Sequence, residues 1–210
     1  MSFRKEIKST LNDGKISILI KWIFKNNGKV LFPERVVNSI YFDNKNLNMY
    51  SESVEGVLPR KKIRLRLYKS ENYLKNFLNN TNLEFKISSV EGRYKISKRQ
   101  SNGIKINQFS INDKDYGICK PVLNVTYLRT YYKINGIRLT IDRKINYKKI
   151  KFSKILPYSI QDKLNVVELK YSNSKLDNKI LDLFPFQFNR FSKYCRGIEF
   201  TQKKHCDENI

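Results

Sequence analysis

The sequence predicts an α+β fold: a closed antiparallel β-barrel of about eight strands, with helices packed outside it. Three observations carry this. Segments with a period of two recur along the chain, most with charged side chains on one face and aliphatic ones on the other. Turn signals separate them, the strongest being Asn135-Gly136 between two alternating runs. Helical periodicity is confined to short pieces. A two-sheet sandwich would want two apolar inner faces. A closed barrel instead lets helices cover the apolar face while the charged face lines an interior channel.

The chain of 210 residues is 40% apolar and 13% aromatic, enough for a sizeable core, which excludes a disordered polycation. We read residues 1–200 as one domain and 201–210 as a polar tail. Lys and Arg number 42 against 19 Asp and Glu, a net charge of +23 that attracts phosphate-rich partners or an anionic surface. Many lysines belong to a general Lys, Asn and Ile bias. The arginines run against that bias, and Arg64, Arg66, Arg93, Arg129 and Arg138 sit inside alternating strands. Cys119, Cys195 and Cys206 are odd in number and widely spaced, which argues against a disulfide framework or a zinc site and fits a reducing compartment. No signal peptide pattern stands at Met1-Ser2-Phe3-Arg4-Lys5, and no apolar run approaches the ~18 residues that span a bilayer. The expectation is a cytoplasmic protein whose charge also permits peripheral contact with a membrane or a membrane-protein partner.

In chain order, Phe3 to Lys8 predicts a first strand with Arg4, Glu6 and Lys8 on one face. Asn12-Asp13-Gly14 supplies turn and cap chemistry. Ile16, Leu19, Ile20, Ile23 and Phe24 mark one face of an amphipathic helix, stopped by Asn26-Asn27-Gly28. Val36 to Asp43 predicts a strand, and 46–53 a short helix. Lys61 to Tyr68 alternates strictly, with Ile63, Leu65 and Leu67 opposed to Lys62, Arg64, Arg66 and Tyr68. Residues 70–80 carry Tyr73, Leu74, Phe77 and Leu78 at helical spacing. Leu83, Phe85 and Ile87 alternate with Glu84 and Lys86, and Glu91-Gly92 turns the chain into Arg93 to Arg99. Residues 100–118 read as irregular. A long strand from Val122 to Tyr132 puts Leu123, Val125, Tyr127, Arg129 and Tyr131 on one face. Its return, 137–142, groups Arg138, Thr140 and Asp142. A basic loop is expected around 148–154, a strand over Val166 to Tyr171 with Glu168 and Lys170 together, and a helix from Leu176 to Phe184. His205-Cys206 reads as a frayed terminus.

Taken together, the charged faces would hold Lys8, Arg64, Arg66, Lys86, Lys95, Arg129 and Arg138 with the carboxylates Glu6, Glu84, Asp142 and Glu168. So much like charge is not expected to stay dry; it needs water, counter-charge or a bound anion. A triphosphate with a divalent metal supplies both signs. The single histidine, His205, argues against histidine-dependent catalysis, and no Walker-type Gly-rich loop is present.

The ordered pieces Arg4-x-Glu6-x-Lys8, Ser39-Ile40-Tyr41-Phe42-Asp43, Arg60-Lys61-Lys62-Ile63-Arg64-Leu65-Arg66, Leu83-Glu84-Phe85-Lys86 and Tyr94-Lys95 form a series. It continues through Pro121-Val122-Leu123-x-Val125-x-Tyr127-x-Arg129, Arg138-Leu139-Thr140-Ile141-Asp142 and Val167-Glu168-Leu169-Lys170 to Ser192-Lys193-Tyr194-Cys195-Arg196-Gly197. Over roughly residues 3–200 this series resembles the VTC-type polyphosphate polymerase domain, a branch of the triphosphate tunnel metalloenzyme (CYTH-like) superfamily. The resemblance implies that Lys8, Arg64, Arg66, Lys86, Lys95, Arg129 and Lys193 grip the nucleotide triphosphate and the growing chain. It makes Tyr127, Arg138, Ser192 and Glu6 substrate-binding and Glu168 the ligand of Mn²⁺ (or Mg²⁺). Lys98 competes with Lys95 in alignment, but strand parity puts Lys95 on the face of Arg93. Ser9 stands where the family would have an aromatic residue, and Ser88 to Gln100 is irregular beside the family's usual hairpin.

The implied reaction moves the γ-phosphate of ATP onto inorganic polyphosphate and releases ADP, with ATP and polyphosphate as partners and no nucleic acid. If water accepts instead, the enzyme is a triphosphatase acting on inorganic, nucleoside or RNA 5′ triphosphate. Such relatives favour several glutamates on the first strand, where this chain has only Glu6. A non-catalytic polyanion-binding module is the third reading, and it leaves Glu168 without a purpose. The sequence sets no oligomeric state.

Overall fold

In the computed structural model, β-strands dominate the described chain, residues 5–68, 81–100, 108–151, 154–171 and 175–207. The elements are β1 (Lys5–Leu11), α1 (Asp13–Lys25), β2 (Lys29–Asp43), α2 (Asn48–Glu55), β3 (Arg60–Leu67), β4 (Thr81–Ser88) and β5 (Arg93–Gln100). They continue with β6 (Ile111–Asp113), β7 (Gly117–Ile134), β8 (Ile137–Lys151), β9 (Lys154–Ile155), β10 (Ile160–Gln161), β11 (Asn165–Tyr171), α3 (Lys175–Asp182) and α4 (Lys193–Asp207). The hydrogen-bonded strand order is β1-β11-β8-β7-β2-β3-β4-β5, with β9 and β10 beside β8 and β6 beside β7.

This order corrects the expected closed barrel. Among the described residues no pairing joins β5 to β1, so the sheet is open. Both ends have a physical reason. The outer edge of β1 is already bonded: Asn189 N–H donates to the Lys8 carbonyl at 2.8 Å, and Ser9 Oγ donates to the Gln187 carbonyl at 2.8 Å. Residues of β5 are exposed from Arg93 to Arg99, and charge recurs along it, a device that blunts a strand edge.

The chain divides into two compact units. The first comprises residues 1–36, 127–145 and 162–191. Its core joins Leu11 to Ile16, Leu19 and Ile23 of α1, Leu139 and Ile141 of β8, Val167 and Leu169 of β11, and Ile180 and Phe184. The apolar sides of β1, β8 and β11 are thereby covered by α1 and α3, and their charged sides are left opposite. Helix α1 follows its sequence signals closely. The Asn12 side chain accepts from Lys15 N–H at 3.2 Å. At the other end Asn27 is left-handed (φ 58°), Asn27 N–H donates to the Phe24 carbonyl, and Gly28 N–H donates to the Ile23 carbonyl at 2.8 Å, a Schellman closure. A side chain on Gly28 would come within 2.4 Å of Ile23.

The second unit comprises residues 37–126, 146–161 and 192–210. Here the aliphatic face of β3, Ile63 and Leu65, is fully buried. Helix α4 seats Tyr194 and Ile198 inward and lies so close to the sheet that Gly197 has no room for a side chain.

Three stretches depart from the sequence reading. Strand β8 continues to Lys151 where a basic loop was expected, because Tyr147 and Ile150 keep an apolar side that is buried and β9 and β10 pair with it. Strand β6 and the start of β7 form within the supposedly irregular 100–118. Helix α4 runs through the position where a polar tail was expected to begin: Tyr194, Ile198 and Thr201 are buried at helical spacing, and Thr201 Oγ1 bonds back to the Gly197 carbonyl at 2.8 Å. Gly197 lies inside this helix, where close packing against Leu123 and Tyr147 leaves no room for a side chain. The helix expected over 70–80, and Arg4, lie outside the described residues.

Candidate functional site

Each unit carries a set of charged side chains. In the second unit the register fixes which residues share a face. Arg64 lies opposite Tyr41 on β2 and Glu84 on β4; Arg66 lies opposite Ser39 and Asn82; Lys62 lies opposite Lys86, and Lys86 opposite Lys95 on β5. Lys98 pairs with Leu83 and so belongs to the other face, which separates it from Lys95. Arg93, Lys95 and Arg99 continue the cationic face, whose only carboxylate on β3, β4 and β5 is Glu84.

Glu84 is 2% exposed. Arg64 donates to its Oε2 from Nε at 2.7 Å, Arg66 Nη1 stands 3.7 Å from the same oxygen, and Lys95 Nζ bonds Oε1 at 3.0 Å. Burial alone would raise the Glu84 pKa, but Arg64, Arg66 and Lys95 overcome it and hold the carboxyl at about 2. Arg64 also donates to Tyr41 Oη at 3.2 Å. Burial pushes the Tyr41 phenol up, and the facing Arg64 and Arg66 bring it below its ordinary value. Arg64 and Arg66 are only 6% and 7% exposed. This corrects the expectation that their face lines a water-filled bore: counter-charge from Glu84 lets the guanidinium groups stay buried.

Ser192 and Lys193 stand at the start of α4. Ser192 Oγ accepts from Cys195 N–H at 3.3 Å, capping the helix, and from Lys62 Nζ at 3.0 Å. The next residue, Tyr194, stacks on Tyr41 with centroids 5.0 Å apart and donates to Asp43 Oδ2 at 2.5 Å. Asp43 also accepts from the amides of Asn44, Met49 and Tyr50, tying α2 and α4 to the strand that bears Tyr41.

The first unit gathers Glu6 and Lys8 on β1, Tyr127 and Arg129 on β7, Arg138, Thr140 and Asp142 on β8, and Glu168 and Lys170 on β11. The register aligns Lys8, Glu168 and Thr140 in one row and Glu6, Lys170 and Arg138 in the next. Lys170 Nζ lies 3.1 Å from an oxygen of Glu6 and 3.1 Å from one of Glu168, so both carboxylates converge on one cation position. Lys8 Nζ is 3.3 Å from Glu6 and donates to the Phe191 carbonyl at 3.2 Å. Arg129 grips Asp142 with two parallel bonds, 2.5 and 2.7 Å, and sits 5.2 Å from the Tyr127 ring centre. Burial lowers and Asp142 raises the Arg129 pKa, with a net upward shift.

Thus the structure brings Arg64, Arg66, Lys86, Lys95, Ser192 and Lys193 into one unit and Glu6, Lys8, Tyr127, Arg129, Arg138 and Glu168 into the other. Lys62, Tyr41, Glu84, Asp142 and Lys170 were given no site role from sequence, although Glu84 and Asp142 were placed on the charged faces. Lys62 and Lys170 were findable, since each lies two positions from a chosen residue on the same strand face. Among the described residues no group of three or more His, Cys, Asp or Glu side chains is placed to hold a metal; Glu168 and Glu6 supply two carboxylates. Cys119 and Cys195 are free and buried. No helix among the described residues is long and apolar enough to cross a membrane.

Solved structures share this fold. A candidate adenylate cyclase from Bacillus halodurans is 11% identical, with TM-score 0.55 over 91% of this chain and 96% of that one. A candidate adenylyl cyclase from Hippeastrum, whose dominant activity is a triphosphatase, is 13% identical, with TM-score 0.51 over 92% and 94%. A candidate adenylate cyclase from Vibrio parahaemolyticus is 9% identical, with TM-score 0.50 over 91% and 95%. The VTC domain family matches residues 3–202, and this chain belongs to that family. No protein of curated function matches the sequence.

Proposed function

We propose that this VTC-family protein is a polyphosphate polymerase, transferring the γ-phosphate of ATP to inorganic polyphosphate. The observation that carries the reading is the face of β3, β4 and β5, where Lys62, Arg64, Arg66, Lys86 and Lys95 stand with a single carboxylate on those strands, Glu84. A polyanion is the ligand this charge pattern suits. In the transfer, an end oxygen of the acceptor chain attacks the γ-phosphorus, the bond to the bridging β–γ oxygen breaks, and ADP leaves with that oxygen. The polymer gains one phosphate. No covalent enzyme intermediate is needed; the protein holds the two phosphate chains in line and neutralises their oxygens. In the second unit Arg64 and Arg66 are proposed to hold non-bridging oxygens through their planar forks, with Lys86, Lys95 and Lys193 as further cations and Ser192 as a neutral donor; in the first unit Lys8, Arg129 and Arg138 are proposed as phosphate-binding cations and Tyr127 as a neutral donor.

A divalent ion, Mn²⁺ or Mg²⁺, suits the carboxylates Glu168 and Glu6, because hard oxygens converge on a position now held by the Lys170 ammonium. Such an ion, when bound, withdraws charge from phosphate oxygens. The same convergence favours a second reading, metal-dependent hydrolysis of a triphosphate, in which water replaces the acceptor chain. We expect the protein to act in the cytoplasm, with peripheral membrane contact permitted by its charge.

Purified protein incubated with ATP and Mn²⁺ separates these readings. Long-chain polyphosphate appearing with ADP supports the polymerase, and phosphate without polymer supports hydrolysis. Tight binding of triphosphate without turnover would sink both.

A further inference from the structure

We infer that Thr140 is a further substrate-binding residue, its hydroxyl joining Arg138 Nε to form a two-donor seat for one oxyanion. The inference rests on the triphosphate reading above. Thr140 is 2% exposed, yet among the described residues its Oγ1 has no hydrogen-bond partner; neither does Arg138 Nε, which is also buried. An orphaned polar atom in a buried place carries a free-energy cost that a native fold rarely leaves standing.

The two residues alternate on β8, so their side chains leave the same face from backbone positions about 7 Å apart along the strand, within reach of one phosphate group. That face is the charged one: Thr140 lies opposite Glu168, and Arg138 lies opposite Lys170. The chemistry of the pair then selects the ligand. A guanidinium N–H can only donate, and a threonine hydroxyl can donate, so one acceptor group satisfies both. A metal ion would satisfy Thr140 but leave Arg138 Nε unpaired. A phosphate group presents several acceptor oxygens and carries the charge that Arg138, Lys170 and Lys8 favour.

The test is calorimetric titration with sodium tripolyphosphate, without added metal, of the wild type, Thr140→Val and Thr140→Ser. Valine keeps the shape and removes the hydroxyl; serine keeps the hydroxyl. Thr140→Val is expected to weaken tripolyphosphate binding about tenfold or more, while Thr140→Ser stays within about threefold of wild type. Without ligand, Thr140→Val is expected to melt at the wild-type temperature or above, because it deletes a polar atom that has no partner. Equal binding by Thr140→Val overturns the inference, as does a lower melting point, which would show the hydroxyl already satisfied by the protein. Weak binding by Thr140→Ser overturns it too, since the methyl group would then be what matters. Failure of the wild type to bind tripolyphosphate overturns the triphosphate reading itself.

Discussion

Arg64 meets Glu84 with two nitrogens on one oxygen: Nε at 2.7 Å and Nη2 at 2.6 Å from Oε2. The other oxygen accepts from Lys95 at 3.0 Å. A carboxylate this buried is stable as an anion only because three cations face it, so its ionisation is part of the folding free energy. Its folded pKa of about 2 lies below the ordinary carboxyl value of 4.5.

The sign of the pH dependence follows. The native state binds the proton less readily than the unfolded chain, so the stabilisation is present above the unfolded value and fades as pH falls toward about 2. The gain at neutral pH is about 3 kcal/mol. We predict that wild type exceeds Glu84→Gln in denaturant midpoint at about pH 7 and that the gap narrows steadily below about pH 4.5. A gap that stays constant into acid would show that Glu84 acts through shape rather than charge.

The two arginines beside Glu84 differ. Arg66 stands 3.7 Å from the carboxylate, farther than Arg64, and donates to Ser39 Oγ at 3.4 Å. Arg66→Ala is therefore expected to lose only about 1–2 kcal/mol of stability. ATP-dependent turnover should fall at least about 100-fold, as when a group that stabilises transferring oxygens is removed. Circular dichroism and urea melts beside the turnover assay decide this. Global unfolding of Arg66→Ala would make the residue structural.

Strand alternation exposed most of this architecture before any coordinates. The period of two in Lys61 to Tyr68 and in 82–87 put Arg64, Arg66 and Glu84 on one face, and the register agrees. Alternation does not report how far a face is from water, so the burial of both arginines was missed: it depends on Glu84 arriving from a neighbouring strand. Nor does it report closure. Whether β5 meets β1 depends on the edges, and here Asn189 occupies one of them. The length of β8 was hidden because Lys148, Lys149 and Lys151 read as loop, whereas Tyr147 and Ile150 decide the matter by burial. Packing likewise explains Gly197, whose missing side chain makes room inside α4 for Leu123 and Tyr147, a need that alternation does not report.

That last point gives a stability prediction. A Cβ on Gly197 would lie 2.6 Å from Leu123 Cδ2 and 2.6 Å from Tyr147 Cδ1. Alanine favours a helix by about 1 kcal/mol over glycine, so propensity alone predicts a gain. Overpacking against two buried side chains costs about 1–3 kcal/mol, and we expect it to win. Gly197→Ala should lower the midpoint of a urea melt; a higher midpoint would mean that α4 shifts outward freely.

The carboxylates on β1 and β11 make the metal reading testable without turnover. Glu6 and Glu168 share the Lys170 ammonium at 3.1 Å each, so an incoming divalent ion competes with a cation the protein already supplies. Removing a carboxylate and removing the ammonium must then have opposite effects. Glu168→Gln is expected to weaken Mn²⁺ binding at least about tenfold, because ligand charge sets affinity for a hard cation. Lys170→Met is expected to tighten it, because the competing charge is gone while the oxygen donors stay. The electron paramagnetic resonance signal of free Mn²⁺, titrated against each protein, reads both changes directly. If Lys170→Met bound Mn²⁺ more weakly than wild type, the ammonium would be holding the carboxylates in place rather than competing for them. If Glu168→Gln bound it unchanged, Glu168 would not be the ligand.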